Sequence, residues 1–136
     1  MNTLDLPPEG REALQGKTNS ADAAIIANSI TGVDYRGEEC AVKIRQLFGD
    51  STQFDYSPYH RRMNIVFVDG AHHYEAVVSD TKNALKLVAP SGVILWHDFA
   101  NYGDYNDVTR AVVELLPLGE VIQIGATQLA LYRQPA

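Results

Sequence analysis

Asn64-Ile65-Val66-Phe67-Val68-Asp69-Gly70 and Gly92-Val93-Ile94-Leu95-Trp96-His97-Asp98 are the two stretches that decide the fold. The first is an apolar run that ends in an acid and a glycine, the second an apolar run that ends in His-Asp. Continuous rather than alternating runs predict strands buried on both faces, as in a parallel sheet. Between them Val77, Thr81, Ala84, Leu85 and Val88 recur at helical spacing, which predicts a helix from about Tyr74 to Val88. Ala89-Pro90-Ser91-Gly92 ends that helix and turns the chain into the second run. The unit reads strand, helix, strand, with a right-handed crossover expected.

Outward from this unit the same alternation continues. Val108, Ala111, Val112 and Leu115 share one face of a helix predicted over Asp107 to Leu116, with Asn106 as N-cap and Pro117 at its end. Val121–Ile124 and Leu129–Tyr132 read as a terminal strand pair joined by Gly125–Gln128. Upstream, Thr3–Leu6 is a short strand broken by Pro7-Pro8, and Glu9 to Ser20 is a polar loop. Ala21 to Ile30 fits a helix capped by Ser20, and Val42 to Phe48 fits a strand that ends at Gly49-Asp50-Ser51. The pattern predicts a Rossmann-like, doubly wound α/β domain over residues 1–136. Its sheet is mostly parallel with a terminal antiparallel pair.

Composition narrows the function classes. The sequence has 136 residues, 46% hydrophobic and 21% charged, which excludes a disordered or fibrous chain. Asp and Glu number 17 against 11 Lys and Arg, for a net charge of −6, and Arg61-Arg62 is the one adjacent basic pair. No nucleic-acid partner is therefore expected. No apolar run approaches a membrane span, and Met1–Gly10 does not read as a secretory signal. The single cysteine, Cys40, follows Glu38-Glu39, which excludes a disulfide framework and disfavours a nucleophilic thiol. A reducing cytoplasm is the expected compartment.

Four predicted strands end in an acid: Asp5, Asp50, Asp69 and Asp98. In open α/β sheets ligands bind beyond the carboxyl ends of the strands, so these acids can receive ribose hydroxyls or a cation. The alternative is that such acids cap helices or shape turns. Asp69-Gly70-Ala71-His72-His73-Tyr74-Glu75 is the richest stretch. Asp69, His72 and Glu75 could converge around a divalent ion, and His72 could act as a general base. His97-Asp98 would lie close by if the two strands are neighbours. His72 and His73 could instead cap the helix or face solvent. Tyr56, Tyr59, Tyr102 and Tyr105 could line a pocket, although packing is the commoner fate. There is no Gly-x-Ser-x-Gly elbow and no Walker-type loop.

The stretch from Asn64 to Asp98 resembles class I S-adenosylmethionine-dependent methyltransferases, most closely the macrocin O-methyltransferase-like branch. The resemblance is carried by Gly49-Asp50-Ser51, Ile65–Tyr74, Asp80 and Gly92–Asp98, and Thr3–Glu9 looks like that family's second strand. It implies that Asp5 holds the cofactor ribose, that Asp50 and Ser51 contact the adenine, and that Asp69 lies beside the methyl donor. It also implies that Asp69 and Asp98 bind magnesium, as in related catechol enzymes. Phe99 stands where those enzymes place an Asn, so His72, His97 or Asn101 is the third ligand. Magnesium there would orient an acceptor hydroxyl and lower its pKa. Asp34, after Ile30-Thr31-Gly32-Val33, competes as the ribose acid. Its seven-residue separation from Val42 is too short for a parallel crossover, which favours Asp5.

In that family a first strand, lying between the second and the fourth, and a glycine-rich cofactor loop precede the second strand. This sequence starts at the second strand and shows no Gly-x-Gly-type loop, so that piece is expected to be lacking. Three arrangements follow: direct pairing of the flanking strands, a homo-oligomer that supplies or shields the gap, or a longer reading frame. The expected activity is O-methyl transfer to a small-molecule acceptor, with magnesium assistance. The alternatives are a truncated, non-catalytic domain that oligomerises and, more remotely, a metal-dependent hydrolase using Asp69, His72, His97 and Asp98.

Overall fold

The computed structural model describes residues 1–5, 35–100, 105–117 and 119–136. The helix expected over Ala21–Ile30, the Pro7-Pro8 break, Asp34, Asn101 and Tyr102 lie outside the described residues. The chain divides into two compact units, Met1–Phe54 and Asp55–Ala136.

In the first unit, β1 (Asn2–Asp5) pairs in parallel with β2 (Arg45–Phe48), from Asn2 opposite Arg45 to Asp5 opposite Phe48. The expected strand start at Val42 is corrected. Glu39–Lys43 forms a 3-10 turn in which the Ala41 amide bonds to Glu38 and the Ile44 amide to Ala41. Those short-range bonds take the amides a ladder would use, and Val42 is left 89% exposed.

The second unit holds β3 (Met63–Val68), α1 (Tyr74–Leu87), β4 (Val88–Trp96), α2 (Asp107–Leu115), β5 (Val121–Gln123) and β6 (Ala130–Arg133). The sheet order is β3-β4-β6-β5. β3 and β4 run parallel, and β6 is antiparallel to both β4 and β5. The predicted α/β architecture, its parallel strand-helix-strand unit and its terminal antiparallel pair are all present.

The helix stop is where expected, but it lies within a strand. Val88 pairs with Met63, and the ladder then jumps to Ile65 opposite Val93. The residues between bulge out, with Ser91 at a φ of 62°. Gly92 closes the bulge where a Cβ would fall 2.8 Å from Val88 Cγ2 and 2.9 Å from the Ala89 carbonyl.

One face of this sheet is a packed core. Val66 and Val68 of β3, with Ile94, Trp96, Ala130 and Tyr132, meet Val77 and Ala84 of α1 and Val108, Ala111 and Val112 of α2. Within it the Trp96 indole N–H donates to Thr81 Oγ1 at 3.0 Å, which satisfies both buried polar groups. The other face corrects the expectation of two-sided burial. Ile65 and Phe67 alternate away from the core and are 65% and 54% exposed. No helix among the described residues is long and apolar enough to cross a membrane.

Candidate functional site

Because β3 and β4 are parallel neighbours, their carboxyl ends bring Asp69 and His97-Asp98 to the same edge of the sheet. The His97 amide extends the ladder to the Val68 carbonyl at 3.1 Å. Asp98 then leaves the strand with a φ of 57°, a left-handed conformation that Asp tolerates better than most residues. His72 arrives from the turn between β3 and α1. Gly70 in that turn lies against Asp80 of α1, whose Oδ2 would be 2.9 Å from any Cβ placed there.

These side chains converge. His72 Nε2 is 2.9 Å from Asp98 Oδ2, and His97 Nδ1 is 2.8 Å from the same oxygen. His97 Nδ1 is also 3.6 Å from Asp69 Oδ1. Asp69, His72 and Asp98 each offer a ligand atom within 4.8 Å of the others. Opposed ligands on a divalent ion are about 4.2–4.8 Å apart at bond lengths of roughly 2.1–2.4 Å. Two carboxylates and one imidazole suit magnesium or manganese, so the donor set fits the ion the resemblance implies. A small cleft beside them is walled by Val68, Ala71, Val77, Trp96 and Val108.

The other residues singled out from the sequence make contacts of their own. Asp5 closes β1, where its Oδ2 accepts from Gln46 Nε2 at 3.3 Å. Asp50 accepts from the Thr52 amide and hydroxyl and from Gln53 Nε2, so its carboxylate shapes a turn. Asp50 and Ser51 stand with Asp5 in the first unit. His73 occupies the N-cap of α1, but its side chain makes no cap bond; its carbonyl accepts from the Ala76 and Val77 amides. Tyr56 and Tyr59 are half-buried, Tyr105 is exposed, and so is Cys40.

Tyr74 is a structural member of the motif. Its amide donates to Asp107 Oδ2, its hydroxyl donates to Glu114, and the Arg110 guanidinium lies 4.3 Å over its ring. It thereby ties α1 to α2. The Tyr74 hydroxyl and then Arg110 hold the Glu114 carboxyl below its usual range, and the same bond to Glu114 pushes the Tyr74 phenol up. One further contact is not foreseen from the sequence. Asn106, expected only as a helix cap, also donates from Nδ2 to the Asp98 carbonyl at 2.8 Å.

The family model described as "Methyltransferase domain" matches residues 5–99, a span that contains both strand-end acids and His72. The chain belongs to this methyltransferase family. A search of curated proteins returned no match. Among solved structures, the methyltransferase domain is similar to a protein from Corynebacterium glutamicum. That likeness has 12% identity and a TM-score of 0.59, over 99% of this chain and 60% of that one. A possible exported protein from Bordetella parapertussis is similar at 12% identity and a TM-score of 0.57, over 99% and 53%. At such identity these likenesses show the shared fold. The methyltransferase domain thus spans between half and two thirds of the length of either structure.

Proposed function

We propose that this methyltransferase domain serves S-adenosylmethionine-dependent O-methylation of a small hydroxylated acceptor, assisted by a divalent cation held by Asp69, His72 and Asp98. The observation that carries this reading is the meeting of those three side chains at the carboxyl ends of two adjacent parallel strands. Family membership supplies the transfer class, and the donor set favours magnesium or manganese over softer-ligand metals.

When bound, S-adenosylmethionine would supply the methyl group, passing it from its sulfonium to the acceptor oxygen and leaving as the thioether. The chain's own groups prepare that oxygen. Asp69, His72 and Asp98 would hold a divalent cation, which would lower the pKa of an acceptor hydroxyl bound to it. His97 presents Nδ1 to Asp98 at 2.8 Å. With Nδ1 engaged by Asp98, Nε2 is the ring nitrogen we assign to receive the acceptor's proton. Val77, Trp96 and Val108 supply apolar walls to the adjoining cleft.

Calorimetric titration tests the two parts separately. S-adenosylmethionine should bind, and Mn2+ should bind at one site per chain. No heat with millimolar S-adenosylmethionine would sink methyl transfer, while absence of Mn2+ binding would sink cation assistance alone.

A further inference from the structure

Two residues just beyond β4 hold left-handed backbone without being glycine: Asp98, with a φ of 57°, and Ala100, with a φ of 49°. Such conformations persist only where the surroundings impose them. Here the imposing groups are two side chains at the start of α2, its N-cap Asn106 and Thr109 of its first turn. Asn106 Nδ2 donates to the Asp98 carbonyl at 2.8 Å, and Thr109 Oγ1 accepts from the Ala100 amide at 2.7 Å. The same pair starts the helix. Asn106 Oδ1 accepts from the Thr109 amide at 2.8 Å and from the Thr109 hydroxyl at 2.9 Å. One end of the Asn106 amide therefore caps α2, and the other end grips the acid.

A helix cap needs only the acceptor, and Ser or Asp would serve as well. The donor end of Asn106 is surplus to capping and is aimed at the residue whose Oδ2 meets both His72 and His97. We infer that Asn106 and Thr109 are positioning residues for the cation site. Their clamp on residues 98–100 fixes the Asp98 backbone and so the place of its carboxylate beside Asp69 and His72. This inference rests on the cation-assisted reading above, and it assigns a role to side chains that touch neither cation nor acceptor.

Three neutral substitutions separate clamp from cap. Asn106→Ser keeps a cap and is too short to reach Asp98; Thr109→Val removes the acceptor for Ala100, and Thr109→Ser restores it. In the full chain, Mn2+ affinity measured by electron paramagnetic resonance should fall about tenfold or more for Asn106→Ser and Thr109→Val, the usual loss for an outer-shell partner. Thr109→Ser should match the wild type. The Asn106→Ser melting temperature should drop by less than about 4 °C, because the cap survives. Ring-nitrogen NMR shifts of His72 and His97, recorded without metal, should move in Asn106→Ser. Unchanged Mn2+ affinity in both variants overturns the inference. If the wild type binds no Mn2+, the cation reading fails on its own, and unmoved histidine shifts in Asn106→Ser then overturn the clamp.

Discussion

His72 Nε2 lies 2.9 Å from Asp98 Oδ2, and that oxygen is also 2.8 Å from His97 Nδ1. One carboxylate oxygen thus serves two imidazoles from different elements. Asp98→Asn should lower Mn2+ affinity at least about tenfold, because a neutral amide is a poor ligand for a hard cation. The fold should survive, since Asn adopts the left-handed backbone at this position as readily as Asp. Paired measurements of Mn2+ affinity and circular dichroism check both halves, and an unaltered affinity would remove Asp98 from the site.

The Trp96–Thr81 hydrogen bond lies wholly within the core. Thr81→Val keeps the shape and leaves the indole N–H without its acceptor. The expected cost is about 1–3 kcal/mol, read as a lower midpoint in urea denaturation.

Gly92 is required by space, because three neighbouring atoms lie within 3.0 Å of where a Cβ would stand and two of them are backbone oxygens. Gly92→Ala should therefore destabilise the second unit by about 1–3 kcal/mol. Equal denaturation midpoints for the two proteins would show that the bulge yields freely.

The Tyr74–Glu114 contact predicts a pH window. A carboxyl held below its ordinary value of 4.5 contributes stability above that value and loses it as pH falls through the lower folded value. A phenol raised above 10.0 contributes below that value and loses it as pH rises further. The melting-temperature gap between wild type and Tyr74→Phe should be full between pH 4.5 and 10.0 and close at either extreme. A gap constant from pH 3 to 8 would assign it to packing on Arg110 rather than to the hydroxyl.

The open face of β3 carries Ile65 and Phe67, both more than half exposed. Contiguous apolar surface of this kind binds hydrophobic dyes. The chain should enhance ANS fluorescence at neutral pH, and Ile65→Thr with Phe67→Thr should reduce that signal without lowering the melting temperature.

Much of this structure was legible because the decisive signals were local. The apolar runs through Val66 and Ile94, the helical spacing of Val77, Thr81 and Ala84, and the Asn106 cap all follow from periodicity and capping chemistry. The strand-end acids Asp69 and Asp98 were legible for the same reason, and pairing of their strands brought them together. What stayed hidden depended on tertiary context. Ile65 and Phe67 read like core residues because composition does not record which sheet face is covered. Val42 read as strand because apolarity does not distinguish a ladder from a 3-10 turn. The second bond of Asn106 is set by the path of the chain beyond β4, which no local pattern encodes.

Asp69, His72, His97 and Asp98 all come from one strand-helix-strand segment, closed by a single parallel pairing. In kinetic terms the loop that must close to assemble them is short, so its entropic cost is small and the cluster can form early in folding. Its final geometry comes later, because Asn106 and Thr109 belong to α2 and grip Asp98 only when that helix docks. Refolding should therefore make the chain competent to bind Mn2+ only as α2 docks and completes the burial of Trp96, a coincidence that stopped-flow fluorescence with and without the ion would time.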